Sequence, residues 1–173
     1  MTYTIEALTA AQMQAELPAF IDLLQDSVRN GASVGYVEVP DAAVARAFWE
    51  GILDGLVQGK RVLLVARQQG RIIGTVQLDL AQRPNSLHRA EVQKLLVHSE
   101  ARQQGIGWAL MQAIEAQALH SGRTLLVLDT VKGDVAEVLY LKLGYTLMGY
   151  VPAYVTVGNG VMQPCAFFYK HLT

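Results

Sequence analysis

Hydrophobic positions along the chain recur at spacings that switch between about two residues and about 3.6, and these switches predict the elements. Residues 3–8 read as a short strand. Thr9 then caps a helix continuing to about Arg29, with Pro18 as an interruption or boundary, because proline lacks an amide donor and crowds the preceding turn. After loop 30–35, Asp41 starts a helix in which Val44, Ala45, Phe48, Ile52, Leu53 and Leu56 keep helical spacing as far as Gly59. Strands 61–67 and 71–80 flank Gln68-Gln69-Gly70, whose turn chemistry makes them a hairpin, and strand 89–98 follows the Pro84-Asn85-Ser86 loop. Residues 105–121 form a helix with Ile106, Leu110, Ala113, Ile114 and Ala118 on one face and Gly122 as its stop. Strand 124–130, helix 134–143 and strands near 145–157 and 164–170 close the order.

That order predicts an α/β (α+β) fold, a central mixed sheet with helices on both faces. No internal repeat or low-complexity linker divides it, so residues 1–173 are expected to form a single domain. With 51% hydrophobic residues and 17% charged ones, the chain can bury a good core. A net charge of −1 supplies no long-range attraction, so neither nucleic acid nor an anionic membrane is an expected partner. The start Met1-Thr2-Tyr3-Thr4-Ile5-Glu6 lacks the basic and apolar regions of a signal peptide, and no stretch is long enough to span a bilayer, which predicts a cytoplasmic location. The single cysteine, Cys165, excludes an internal disulfide and reads as a buried thiol. His88, His98, His120 and His171 are scattered without ligand spacing, so no metal is expected and they read as surface or loop residues. Trp49 and Trp108 fall in helices and read as packing residues.

The chemistry concentrates at Arg102-Gln103-Gln104-Gly105-Ile106-Gly107, between an apolar strand and the opening of a helix. A glycine-rich turn at a helix N-terminus gathers backbone N–H groups in front of the positive end of the helix dipole, and a pyrophosphate fits there. A P-loop is excluded because Trp108-Ala109 stands where lysine and a hydroxyl residue are required. The dinucleotide fingerprint is a nearer rival, since Asp129 ends the next strand about 20 residues on, but Leu110 replaces its third glycine.

The Arg/Gln-x-x-Gly-x-Gly/Ala pattern resembles the acetyl-CoA loop of the GCN5-related N-acetyltransferases. A second segment supports the resemblance: Ala136, Tyr140, Lys142, Gly144 and Tyr145 in residues 133–145 fit that family's Asn-x-x-Ala-x-x-x-Tyr-x-x-x-Gly-Phe pattern, with Gly133 in place of the asparagine. The stretches Gly31-Ala32-Ser33-Val34-Gly35, Arg89-Ala90-Glu91-Val92-Gln93-Lys94-Leu95 and Leu128-Asp129-Thr130 are similar to members of the family that confer toxin resistance by acetylating a β-lactam amino acid. The resemblance implies that acetyl-CoA is the cofactor, that its pantetheine arm pairs with backbone near Leu95, Leu96 and Val97 where two strands splay apart, and that its diphosphate meets Arg102, Gln103, Gln104, Gly105, Ile106, Gly107 and Trp108. It implies a small-molecule amine as acceptor, with Ser33 and Tyr36 beside it. Because related folds often dimerise, it also raises the expectation of a homodimer.

Strand periodicity sets Glu91, Gln93, Leu95 and Val97 on one face if no bulge intervenes, and Leu125, Val127 and Asp129 together on the next strand. Glu91 and Asp129 are carboxylates among apolar neighbours, so burial is expected to act on both, and a carboxylate with a raised pKa suits a base for an ammonium substrate. Glu91 also reads as an ion-pair partner of Arg89 or Lys94, and Asp129 as a turn or cap residue. Tyr140 stands where the family has its thiolate-protonating tyrosine, or packs beside Leu139 and Leu143. Two other functions compete with small-amine acetylation: acetyl transfer to a protein N-terminus or lysine, and acyl-CoA sensing without turnover.

Overall fold

The computed structural model describes residues 2–173. Thr9 caps α1 (Ala10–Ala15) reciprocally: its hydroxyl accepts from the Gln12 amide, and the Gln12 side chain accepts from the Thr9 amide. The helix stops at Glu16 and restarts as α2 (Leu17–Arg29), with Pro18 in the first turn, where a missing N–H is not needed. Asp41 caps α3 (Ala42–Glu50) by accepting from the Val44 amide. The helix expected to run on to Gly59 instead breaks at Gly51, where the Ile52 amide tightens to the Trp49 carbonyl, and α4 (Leu53–Val57) follows. Glycine's low helix propensity accounts for the break.

Among the described residues, seven strands, β1 (Thr4–Ala7), β2 (Arg61–Gln68), β3 (Arg71–Leu80), β4 (Arg89–Val97), β5 (Leu125–Val131), β6 (Thr146–Thr156) and β7 (Met162–His171), form one sheet in the order β1-β2-β3-β4-β5-β7-β6. All neighbours are antiparallel except β4 and β5, which need a helical crossover, and α5 (Ile106–His120) supplies it. The last helix is α6 (Val135–Lys142). The mixed sheet with helices on both faces agrees with expectation.

Two cores lie on opposite faces. Val76, Leu78, Ala90, Val92, Leu126 and Leu128 pack with Ile106, Leu110, Met111 and Ile114 of α5 and with Tyr140 of α6. Leu63, Val65, Ile72 and Leu96 pack with Leu17, Phe20 and Leu24 of α2 and Trp49 of α3. Gly74 lets α5 approach β3: a Cβ there would lie 3.1 Å from Leu110 Cδ1 and 3.0 Å from the Leu96 carbonyl oxygen.

One irregularity changes the reading of β4. Gln93 pairs with Gln77 and Leu96 with Thr75, so Lys94 and Leu95 together oppose Val76 alone, and Lys94 takes φ +52°. This β-bulge inverts the alternation. Leu95 and Val97 therefore join the α5 side of the sheet, and Leu96 joins the α2 side. The expected common face of Glu91, Gln93, Leu95 and Val97 does not exist.

Candidate active site

Parallel pairing between β4 and β5 covers only Arg89 to Glu91 against Leu125 to Val127. Beyond those pairs the strands part, and a cleft of about 260 Å³ opens. Ser33, Glu91, Lys94, Leu95, Asp129 and Tyr140 are among its walls. Loop 30–35 is carried there by a buried carboxylate: Asp26 accepts from the amide and hydroxyl of Ser99, at 2.8 and 2.7 Å, and from Asn30 Nδ2 at 3.0 Å.

Both expected carboxylates line this cleft and are exposed into it by surface, and for Asp129 the surrounding walls still act as the expected burial does. For Glu91 the apolar neighbours misled the sequence reading, because the strand end leaves its side chain facing an opening rather than a core. Glu91 makes neither of its expected ion pairs. Instead Gln93 Nε2 donates to Glu91 Oε1 at 2.8 Å, Arg61 Nη1 donates to Gln93 Oε1 at 2.9 Å, and Arg61 Nη2 donates to Asp79 at 2.6 Å. Glu91 thus ends a relay anchored in two neighbouring strands. Asp129 is not a cap either, since Asp134 fills that role for α6 by accepting from the Ala136 amide. The protein walls strip water from Asp129 and the Glu91 charge adds repulsion, so its pKa is raised, while Lys94 opposes both.

Tyr140 is buried against Tyr145 and Phe168, with ring centroids 5.8 Å away in each case, and it still lines the cleft. Burial first, then the charges of Asp134 and Asp129, raise its pKa, so the phenol keeps its proton at every physiological pH. Cys165 is buried as expected but borders the same cleft, and burial raises its thiol pKa. Tyr36 departs from expectation: it packs edge-on against Phe48 and lines a smaller depression beside the cleft, which Ser33 shares. His98 is not a surface residue; it is largely buried, with Asp22, Asp26 and Glu100 within 3.6–3.9 Å.

The glycine-rich turn has the geometry of an anion cradle. Gln103 and Gly105 take φ +61° and +77°, and Gly105 occupies the N-cap of α5 without offering a side-chain cap. First-turn amides of a helix have no intrahelical acceptor, so those of Ile106, Gly107 and Trp108 remain available. Trp108 is 38% exposed beside them rather than packed. Arg102 Nε donates to the Val97 carbonyl at 3.2 Å, which ties the loop to the end of β4. Past Glu91, the β5-facing edge of β4 has no strand partner among the described residues, which leaves that edge open to an extended ligand along Leu95, Leu96 and Val97 while the opposite edge pairs with β3. A free strand edge leading to a helix N-terminus fits a pantetheine arm with a diphosphate at its end.

A substitution at Gly105 tests the cradle. Valine at φ +77° carries backbone strain on the order of 1–3 kcal/mol at a position with open space around it. Gly105→Val is expected to raise the KM for acetyl-CoA about tenfold while the amine KM changes little, since 1.4 kcal/mol corresponds to about tenfold in binding. Steady-state kinetics with each substrate varied in turn would check this, and equal rises in both constants would refute it.

Residues 59–147, about half of the chain, match the acetyltransferase (GNAT) domain family. The chain belongs to the GCN5-related N-acetyltransferases. An N-acetyltransferase from the hisH-hisA intergenic region of Azospirillum brasilense, itself uncharacterized, is 33% identical over 66% of this chain and 67% of its own length. The L-methionine sulfoximine/L-methionine sulfone acetyltransferase of Pseudomonas aeruginosa is 25% identical over 80% of this chain and 79% of its own. Among solved structures, the Salmonella typhimurium protein yncA, named a putative acetyltransferase and solved with its cofactor acetyl-CoA, superposes with a TM-score of 0.78 at 18% identity, covering 100% of this chain and 95% of that one. This GNAT protein is therefore an acetyl-transferring enzyme that uses acetyl-CoA, and among its described residues no helix is long and apolar enough to cross a membrane.

Sequence reasoning missed Arg61, Gln93 and Lys94. The adjacency Gln93-Lys94 was the available signal, because two consecutive polar residues inside an otherwise alternating strand mark a bulge.

Proposed function

We propose that this enzyme acetylates the primary amine of a small, amino-acid-like molecule by direct attack in a ternary complex. The observation that carries the reading is the meeting of Glu91, Asp129 and Tyr140 at one cleft where β4 and β5 part. Bound acetyl-CoA supplies an acetyl thioester as the electrophile. Substrate amines are mostly protonated at neutral pH, and Asp129 and Glu91 take up that proton, directly or through water. Arg61 and Gln93 hold the Glu91 carboxylate in one orientation. Tyr140 gives the departing sulfur a hydrogen bond. The departing thiolate, whose conjugate acid has a pKa near ~8.5, is a weaker base than a phenolate of raised pKa, so the phenol donates a hydrogen bond without surrendering its proton outright. Leu95, Leu96, Val97 and residues 102–108 hold the cofactor; Ser33 meets the acceptor, and Tyr36 supports loop 30–35 from the side.

Gly133 keeps the turn without the family's asparagine. It takes φ +83° and its amide donates to Glu137 Oε2 at 2.7 Å, so the turn before α6 is kept by backbone geometry. A peptide acceptor is disfavoured by the small cleft and by the approach of hairpin β6–β7 to loop 30–37, where a Cβ on Gly158 would lie 3.0 Å from the Val37 carbonyl oxygen. Residues 1–173 as a single domain, a cytoplasmic location, a role in toxin resistance and a homodimer belong to the same proposal. For the dimer, edge strand β6 offers the exposed Met148, Tyr150 and Val151.

The test is thiol release from acetyl-CoA against amino acids, β-lactam amino acids, L-methionine sulfone, polyamines, aminoglycosides and short peptides. Turnover is expected on a small amine, with Tyr140→Phe lowering kcat about 10–100-fold, the range of one lost transition-state hydrogen bond to charge. Tight cofactor binding with no turnover on any amine would replace this reading with that of a sensor.

A further inference from the structure

Lys94 belongs to no step of the proposed chemistry, yet its ammonium is held at the cleft by an unusual backbone. We infer that Lys94 binds a carboxylate of the acceptor, which makes the substrate a zwitterionic amino acid rather than a simple amine. This inference rests on the small-amine reading above and narrows it.

Four observations support it. The residue occupies the bulge of β4 at φ +52°, a conformation that non-glycine residues seldom adopt, and this places its side chain against loop 30–35 and α3. The ammonium donates to the Val34 carbonyl at a long 3.3 Å and stands 5.4 Å from the Phe48 ring centroid, and it forms no ion pair among the described residues. An ammonium has three donors, so two remain unassigned at a wall of the cleft. Lys94 is also the sole cation among the described residues lining that cleft, against Glu91, Asp129 and Asp134.

The charges match an amino acid end to end. Asp129 and Glu91 receive the α-ammonium group that must lose its proton, while Lys94, partly stripped of water, receives the α-carboxylate; its pKa is lowered first by that burial. An acceptor lacking the carboxylate leaves a poorly hydrated cation without its ligand. An acceptor carrying one replaces the lost water with a charge-assisted hydrogen bond. The cation–π contact with Phe48 fixes where the ammonium sits without using its donors on a competing anion. Pinning loop 30–35 through the Val34 carbonyl is the competing role for Lys94, and it makes no demand for a carboxylate.

The experiment pairs each α-amino acid and L-methionine sulfone with its α-amide, using wild type, Lys94→Met and Lys94→Arg. Wild type is expected to prefer the acid over the amide by about 30-fold or more in kcat/KM, within the range of hydrogen bonds to charged groups. In Lys94→Met that preference should collapse to about threefold or less, with the loss chiefly in KM, and Lys94→Arg should restore much of it. Calorimetric titration of the best acid and its amide into protein saturated with CoA, where no acetyl group is present, should show the same preference and its loss. Equal losses on acid and amide in Lys94→Met would overturn the inference in favour of the loop-pinning role, as would a wild type indifferent to the carboxylate. Absence of turnover on every acid and amide overturns the reading of an amino-acid-like acceptor itself, an outcome distinct from turnover without carboxylate preference.

Discussion

Asp129→Asn is expected to lower kcat by about 10²–10⁴-fold, the contribution of a positioned general base. The amide keeps the size of the carboxylate, so the cofactor KM should stay close to that of wild type and the loss should appear in the chemical step. The pH profile gives the sharper reading. Desolvation and the Glu91 charge raise the Asp129 pKa, so the acid limb of kcat/KM in the wild type should lie above the ordinary aspartate value of about 3.9. Removing the repulsive charge with Glu91→Gln should move that limb to lower pH. Removing the attractive charge with Lys94→Met should move it to higher pH. Rate profiles in which the two substitutions shift the limb in the same direction, or not at all, would assign the limb to another group.

The same shift affects stability with a definite sign. A carboxyl group whose folded pKa is raised binds its proton more tightly in the folded state, so its favourable contribution is complete below the unfolded value near ~3.9 and disappears as pH rises through the folded value. Above that window the charged Asp129 opposes folding. Asp129→Asn should therefore melt at a higher temperature than wild type at pH 7, and the difference should shrink as pH falls toward about 3.9. Greater stability with lost activity is the trade expected where a site keeps a charge partly out of water.

Much of this arrangement was legible in the sequence, because the glycine-rich turn, the position of Tyr140 and the two strand-borne carboxylates depend on local order. The element order and the mixed character of the sheet were legible too, whereas the insertion of β7 between β5 and β6 was not, because strand order depends on distant pairing. What failed was side-chain direction after the bulge. Periodicity assigns faces only while each residue opposes one partner, and Lys94 and Leu95 share Val76. The burial expected for Glu91 failed for a related reason: where β4 and β5 part, the apolar neighbours of a carboxylate no longer measure its exposure, whereas Asp129 is still desolvated by the cleft walls. The relay from Arg61 through Gln93 joins residues 32 positions apart, and no local pattern encodes such a pairing.

Trp49→Ala carries the largest expected cost to the fold, about 3–5 kcal/mol, because it removes a fully buried indole from the centre of the α2-side core. Phe20 and Phe48 stand against that ring with centroids 5.0 Å away, so the cavity would have aromatic walls that cannot readily collapse. For a chain of this length the loss corresponds to a fall in Tm of roughly 6–20 °C, measurable by thermal denaturation. Trp49→Phe should cost much less. The indole Nε1 is buried without a hydrogen-bond partner among the described residues, and removing such an orphan donor offsets part of the lost packing. The substitution also reaches the site: Phe48 is the next residue on α3, and its ring lies beneath the Lys94 ammonium. At temperatures well below its Tm, Trp49→Ala should therefore raise the KM for the amine more than the KM for acetyl-CoA, because the loosened wall belongs to loop 30–35 and Lys94 rather than to the turn at α5. Equal changes in both constants would mean that the α2-side core supports the whole sheet and not this wall in particular.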